Sequence, residues 1–194
     1  MTTRGTPVRR LLVALLVLPA AALAACSSGA PAGGEEIAPG AAPSAWDQHA
    51  VGPVTLHAPP EWEPFATAPS GDGDEAFALR STADGPGTGV HVTVTPERSR
   101  DVDGAVDNLV TVGDATLGAQ DVVTEQLAWT GAQAAGFVAY TATLTTDDGD
   151  VEMRYEYLVL DLDDEAQAVV AVIAPLEGFD DSGAHGVLQS VTVS

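Results

Sequence analysis

From Trp46 to the end of the chain, apolar and polar residues alternate with a period of two over most of the sequence. Successive side chains of a β-strand point to opposite faces, so this pattern predicts strands that each have one covered face. The run from Val169 to Ile173 is apolar at every position, which indicates a central strand. The predicted strands are 54–57, 76–81, 90–95, 122–129, 136–145, 151–162, 166–174 and, at a sheet edge, 191–193.

Two segments have the spacing of helices instead. Between Asp101 and Val112 the apolar residues recur every three or four positions, and Asp101 is the predicted N-terminal cap. The segment 180–189 predicts a short terminal helix that is capped by one of its first three residues. Many antiparallel strands with two helices predict an α+β fold, in which an antiparallel β-sheet is sandwiched by helices. We expect a single domain over residues 46–194.

The first 25 residues have the three parts of a secretory signal peptide. Residues 1–10 carry three arginines and no acid, and an apolar run of 15 residues from Leu11 ends in small residues at Ala25. As a helix this run would span about 22 Å, whereas the bilayer core is about 30 Å thick. We therefore expect residues 1–25 to be removed after export. The pair Arg9-Arg10 leaves the general secretory route and twin-arginine export both open.

The end of the signal peptide, Leu23-Ala24-Ala25-Cys26, resembles the bacterial lipobox. The resemblance implies cleavage before Cys26 and a thioether bond from its sulfur to diacylglycerol. The product is a lipoprotein anchored at the extracytoplasmic face of the cell membrane, since each buried CH₂ contributes about 0.8 kcal/mol. The alternative is a plain cleaved signal with an incidental cysteine. Cys26 is the only cysteine in the chain, so a domain with that thiol acylated has no disulfide.

Residues 26–45 are rich in glycine, proline, serine and alanine and contain a single large apolar residue, Ile37. Such a composition buries too little apolar surface to fold, so we expect a disordered tether between the lipid and the domain. Its mean reach would be about 25 Å.

The charge of the chain excludes several classes of function. All seven cationic residues are arginines, and the absence of lysine excludes Schiff-base chemistry and a Walker-type phosphate loop. The net charge is −21, and removal of residues 1–25 takes away three arginines and no acid, which leaves −24. Nucleic-acid binding requires neutralisation of phosphates, so we expect no nucleic-acid partner. We also expect no cofactor.

The sequence predicts no metal or catalytic site. Its four histidines, His49, His57, His91 and His185, lack metal-ligand spacing and have no companion thiolate. The acidic clusters 72–75, 147–150 and 161–165 are interpreted as solvated turns. In the last of these, Ala166 stands where a calcium loop of the EF-hand type requires glycine. Weak binding of a divalent cation by these clusters remains an alternative.

Aromatic residues are few, and four of them are candidates for a groove between sheet and helix. Tyr155 and Tyr157 are two positions apart and share one face of a predicted strand. Trp62 and Trp129 are the other two candidates. Core packing is the alternative role for all four, while a groove would bind a small ligand or a partner protein.

Several of these features together resemble a known fold. They are Trp46 ahead of a strand, the turn Pro59-Pro60-Glu61-Trp62, the helix from Asp101, the long hairpins, and a final Phe179 followed by Val187-Leu188-x-Ser190-Val191. The chain resembles the Mog/PsbP-like fold, and more narrowly the actinobacterial lipoproteins of the LpqN/LpqT or DcrB-like type. This resemblance implies a binding or assembly accessory that is not an enzyme. It supplies no catalytic motif.

We therefore expect a membrane-anchored surface lipoprotein that acts as a non-enzymatic binding or assembly accessory of the cell envelope. We expect it to be a monomer, with an unknown envelope protein or small ligand as its partner. Two alternatives remain open: an envelope hydrolase with an unfamiliar site, and a module that binds a divalent cation or small ligand.

Overall fold

The computed structural model of the chain describes residues 37–67, 71, 73–82, 87–163 and 165–194. The predicted signal peptide, 1–25, and Cys26 lie outside these residues. The elements are β1 (Asp47–Val51), β2 (Val54–Ala58), β3 (Trp62–Pro64), β4 (Glu75–Ser81), β5 (Gly89–Thr95), α1 (Val102–Leu117), β6 (Gln120–Leu127), β7 (Ala134–Thr146), β8 (Gly149–Asp161), β9 (Gln167–Pro175), a 3₁₀ turn (Asp180–Ser182), α2 (Ala184–Gln189) and β10 (Thr192–Val193).

Seven strands form one antiparallel sheet in the order β3-β4-β5-β9-β8-β7-β6. The two longest, β7 and β8, have 13 residues each and form a hairpin in which Val138 pairs with Tyr157. β9 is fourth of the seven strands, and this confirms the central strand that its apolar run predicts. Each strand therefore contributes one set of alternate side chains to each face of the sheet.

One face of this large sheet is covered by a three-stranded antiparallel sheet, β1-β2-β10, and by α2. Alternate residues of β2, beginning with Val54, turn into the interface between the two sheets. They meet apolar side chains such as Val92, Val170 and Leu158, each of which is completely buried. Because the chain has no disulfide among the described residues, burial of these side chains supplies most of the stabilisation.

The opposite face of the large sheet carries α1. The Asp101 side chain accepts a hydrogen bond from the Gly104 amide at 2.9 Å and caps the helix, as predicted. At the other end, Gly118 adopts the left-handed conformation with φ of 66°. A Cβ on Gly136 of β7 would lie 2.7 Å from Val102 and 2.8 Å from Val106, so glycine lets α1 approach the sheet this closely.

The predicted α+β class is confirmed, but the predicted sandwich of one sheet between helices is not: a second sheet, β1-β2-β10, covers much of the face opposite α1 together with the short α2. The prediction lacked the short strands β1 and β3, and α1 extends five residues beyond Val112 to Leu117. The predicted terminal helix over 180–189 is wrong in its first half. Gly183 has φ of 79° and separates a 3₁₀ turn from α2.

Ile37 was expected to lie in the disordered tether, but it is 3% exposed and belongs to the main hydrophobic core. The Gly40 amide also donates to the carbonyl of Gln189 in α2 at 2.8 Å. Ile37 and Gly40 therefore attach this segment to the α2 side of the domain, while most of residues 38–45 are exposed. The reason is that one large apolar side chain suffices to hold a polar segment when a pocket in the core accepts it.

Candidate binding site

Helix α1 packs mainly on β6, β7 and β8, and it leaves part of the sheet face beside it only partly covered. On this part the side chains of β9 at Ala171 and Ile173 are half-buried, whereas Val170 and Val172 on the other face are 0–1% exposed. We call this region the open sheet face. Its residues are Ala78, Arg80, Gly89, His91, Tyr155, Tyr157, Ala171 and Ile173.

Strand register sets the shape of the open sheet face. His91 pairs with Ala171, which in turn pairs with Tyr157, so an alanine lies between an imidazole and a phenol. In the next row, Gly89 pairs with Ile173. A Cβ on Gly89 would lie 2.5 Å from the carbonyl oxygen of Leu79, so this position excludes larger residues. Small residues thus form a floor between larger side chains.

The three tyrosines of the chain form one cluster at the boundary between α1 and the open sheet face. The ring of Tyr140 stacks on Tyr155 with 5.1 Å between centroids and on Tyr157 with 5.7 Å. The hydroxyls of Tyr140 and Tyr157 share a hydrogen bond of 2.8 Å. Burial raises the pKa of all three phenols, and that of Tyr157 is raised farthest. They are neutral hydrogen-bonding groups at physiological pH.

His91 is the polar group at the centre of the open sheet face. Its Nε2 lies 2.9 Å from the Thr67 hydroxyl, which brings the segment after β3 over this face. Burial lowers the pKa of His91 below its ordinary value of 6.5, because desolvation penalises the charged imidazolium. At neutral pH this residue is therefore an uncharged donor or acceptor.

Arg80 lies on the open sheet face next to β3, where Glu63 is its direct partner across the strands. Its guanidinium carbon is 5.1 Å from the centroid of the Phe65 ring, which is 51% exposed. This cation–π contact holds the side chain while leaving its N–H donors accessible. By contrast, Arg98 and Arg154 are bound to the carboxylates of Asp161 and Glu156, both at 2.8 Å.

The structure does not bring the four predicted groove residues together. Trp62 and Trp129 are buried in the core on the far side of the large sheet, 5% and 6% exposed. The Trp129 indole donates to the carbonyl of Val191 at 3.1 Å, which satisfies its only polar group. Tyr155 and Tyr157 share one face, as predicted, and lie in the open sheet face. Strand register places His91, Ala171 and Arg80 on the same face as these tyrosines. The spacing of residues in the sequence does not reveal that register.

A second polar cluster lies in the core, on the face of the large sheet that α2 covers. The Glu156 carboxylate is 1% exposed and bridges two partners, Arg154 Nε at 2.8 Å and His185 Nδ1 at 2.7 Å. Arg154 also lies 5.6 Å from the Phe179 ring centroid. A carboxylate that orients an imidazole is one part of an acid–base catalytic site. Here the same contacts tie β8 to α2.

The other candidate residues, His49, His57 and Asp163, contact neighbouring parts of the fold. His49 stacks on Phe77 at 5.2 Å between centroids, and burial lowers its pKa. The backbone of His57 bonds to the Ser190 hydroxyl at 2.9 Å. The Asp163 carboxylate accepts from the amides of Ala166 and Glu165, and these bonds lower its pKa in a turn.

The acidic clusters that the sequence offers for a divalent cation lie mostly in connections between strands. The interpretation as a solvated turn is wrong for Asp161, which ends β8, is 4% exposed and pairs with Arg98. Cluster 147–150 covers the hairpin turn between β7 and β8, and Asp72 of cluster 72–75 lies outside the described residues. In the described part of the chain, no group of three or more His, Cys, Asp or Glu side chains is placed to hold a metal ion.

Within the described residues, no helix has the length and apolar character needed to cross a membrane. No protein-family model matches the chain, and no curated protein matches it either.

Proposed function

We propose that this protein is a lipid-anchored envelope lipoprotein that acts as a non-enzymatic binding or assembly accessory, and that the open sheet face is its binding surface. We also propose the Mog/PsbP-like fold, which the α+β arrangement supports. The observation that carries the proposal is the partly exposed apolar and aromatic surface beside α1. Apolar and aromatic side chains with a few polar groups among them are the usual lining of ligand-binding sites.

The path of the chain supports anchoring through Cys26. Ile37 and Gly40 fix the start of the domain on its α2 side, and the open sheet face lies on the other side of the large sheet. Ten residues, 27–36, separate the lipobox cysteine from Ile37, which is at most about 40 Å of extended chain.

The anchor is tested by Cys26→Ala with detergent-phase partitioning of whole-cell extracts. We expect the variant to remain uncleaved or to be released into the medium, because alanine has no nucleophilic sulfur to accept diacylglycerol. Ser27→Ala is the matched control, since it changes the neighbouring residue and keeps the thiol. A Cys26→Ala protein that matures and partitions like the parent chain would contradict the anchor.

Binding by the open sheet face is tested with 2-naphthamide, a neutral two-ring probe, by equilibrium dialysis. The full chain is reconstituted in phosphatidylcholine vesicles, and protein-free vesicles give the blank. Ala171→Gln fills the floor between His91 and Tyr157, so we expect it to abolish binding. Ala50→Gln, at an exposed position of β1, is the control. If both variants bind 2-naphthamide equally, the open sheet face is not the binding site.

The contact between Glu156 and His185 favours a second candidate, an envelope hydrolase in which Glu156 orients His185 as a general base. This candidate predicts turnover of ester or peptide substrates that is lost on His185→Ala. If turnover survives this substitution, or if the parent chain shows no turnover, the contact between Glu156 and His185 has a structural role only.

A further inference from the structure

The seven-stranded sheet ends at two strands, β3 and β6, and β6 has the longer edge. β3 has three residues, one of which is Pro64. β6 has eight residues and no proline, and its side chains are exposed except for the partly buried Val123 and Leu127. After an irregularity that includes Asp121, its pairing with β7 is regular from Val123 to Leu127. The outer edge of a terminal strand carries backbone N–H and C=O groups that can bond to an added strand.

Strand register identifies which backbone groups of β6 point outwards. Thr146 pairs with Gly149 across a two-residue turn, so these two residues exchange both of their backbone hydrogen bonds. Because the pattern alternates, even-numbered residues of β7 bond to β8 and odd-numbered residues bond to β6. The β6 partners of the odd-numbered residues are Val123, Glu125 and Leu127. Thr124 and Gln126 therefore direct their N–H and C=O groups away from the sheet.

The surroundings of this edge are acidic. Gln126 donates to the Asp103 carboxylate of α1 at 2.9 Å, and Asp107 lines the same cleft between α1 and β6. Both carboxylates belong to exposed residues. Together α1 and β6 contain five acids and no lysine, arginine or histidine: Asp103, Asp107, Asp114, Asp121 and Glu125. A second copy of the chain would meet like charge at this edge, whereas a cationic segment would be attracted to it.

We propose that the outer edge of β6 binds an extended cationic segment of another protein, which adds to the sheet as an antiparallel strand. This surface is separate from the open sheet face, which β4, β5, β8 and β9 form. The residues of the segment that exchange backbone bonds with Thr124 and Gln126 have their side chains on the α1 face. Lysine or arginine at these positions pairs with the carboxylates of Asp103 and Asp107.

The other face of β6 specifies the residues in between. Val123 and Leu127 are partly buried there and pack against the main hydrophobic core. Apolar residues of the added strand directly opposite them would extend this apolar surface, as cross-strand pairs do within a sheet. The expected partner is therefore a segment in which basic and apolar residues alternate.

Synthetic peptides separate strand addition from attraction by charge. The probe is a fluorescein-labelled octapeptide in which lysine and valine alternate, and fluorescence anisotropy measures its dissociation constant for the full chain in phosphatidylcholine vesicles. N-methylation of the lysine amides removes the N–H donors that face β6, so we expect it to weaken binding by at least about 10-fold. N-methylation of the valine amides keeps the charge and is the matched control, which we expect to bind like the unmodified peptide.

Asp107→Asn tests the cleft from the side of the protein. We expect it to weaken binding of the unmodified peptide about 2- to 5-fold, because one exposed carboxylate is lost from the site. Asp148→Asn, at an exposed position in the turn between β7 and β8, is the matched control, since it changes the net charge equally. Circular dichroism of both variants verifies that the fold is retained.

Equal binding of the three peptides would overturn the inference, since charge alone would then explain the affinity. Absence of binding would also overturn it, as would equal weakening by Asp107→Asn and Asp148→Asn. A loss confined to the peptide with methylated valine amides would contradict the antiparallel register. Dimers of the chain that the probe dissociates, measured by sedimentation velocity, would assign the edge to a second copy instead.

Discussion

Gly113 shows how closely one residue controls the packing of α1. A Cβ at this position would lie 2.9 Å from two ring atoms of Tyr140. The Tyr140 side chain is 2% exposed and hydrogen-bonded to Tyr157, so its ring has little freedom to move away. A helix would ordinarily gain about 1 kcal/mol from replacing glycine by alanine. Here the steric cost of overpacking exceeds that gain.

Gly113→Ala is therefore expected to lower the free energy of unfolding by about 1–3 kcal/mol, measured by urea denaturation. In a Tyr140→Val background the ring is absent, and the same substitution is expected to stabilise the chain through helix propensity. This double-mutant cycle isolates the contact between the two side chains. Stabilisation by Gly113→Ala in the parent chain would show that α1 shifts without cost.

Residue roles were only partly predictable from the sequence. The period of two correctly places Tyr155 and Tyr157 on one face, because that relation is local to a strand. Trp62, between Glu61 and Glu63, and Trp129 were grouped with these tyrosines as aromatic residues but lie on the other side of the sheet. His91 and Arg80 reach the open sheet face through pairing between strands far apart in the chain, and sequence spacing carries no information on that register.

At the scale of elements, β7 and β8 carry all three tyrosines of the chain into one cluster. Since burial raises each phenol pKa, the folded chain retains protons that the unfolded chain releases near pH 10. The stabilising contribution is thus present below about pH 10 and is lost as the pH rises above it.

Phenolate absorbance at 295 nm is expected to rise only above pH 10 in the folded chain, and near pH 10 in concentrated urea. Tyr157→Phe removes the group whose pKa is raised farthest, so it is expected to reduce the loss of stability at alkaline pH more than Tyr155→Phe does. A folded chain whose three phenols all titrate near pH 10 would contradict burial of the cluster.

Most strands and α1 were predictable because their patterns are long and periodic. β3 has three residues, too few for a period to be recognised, and β1 contains the exposed residues Asp47, Gln48 and Ala50. The break at Gly183 depends on a left-handed conformation that glycine permits without requiring it. The predicted helix over 180–189 was therefore wrong at this point.

For the whole molecule, the start of the folded unit at Ile37 has a measurable consequence. Ile37→Ala removes a buried side chain and is expected to lower the free energy of unfolding by about 2 kcal/mol or more. Ala38→Ser, at the exposed neighbouring position, is expected to leave it unchanged. Urea denaturation of the full chain measures both. Identical unfolding midpoints for the two variants would show that residues 37–45 belong to the tether and not to the folded domain.

The attachment of Ile37 and Gly40 also determines how force enters the molecule. A pull on the amino-terminal segment reaches the core around Ile37 and the last turn of α2 at Gln189 before any other described element. The seven-stranded sheet stands between these contacts and the open sheet face. Under the proposed anchor at Cys26, tension would therefore enter the domain on the α2 side, opposite the surface with Arg80 and Tyr155.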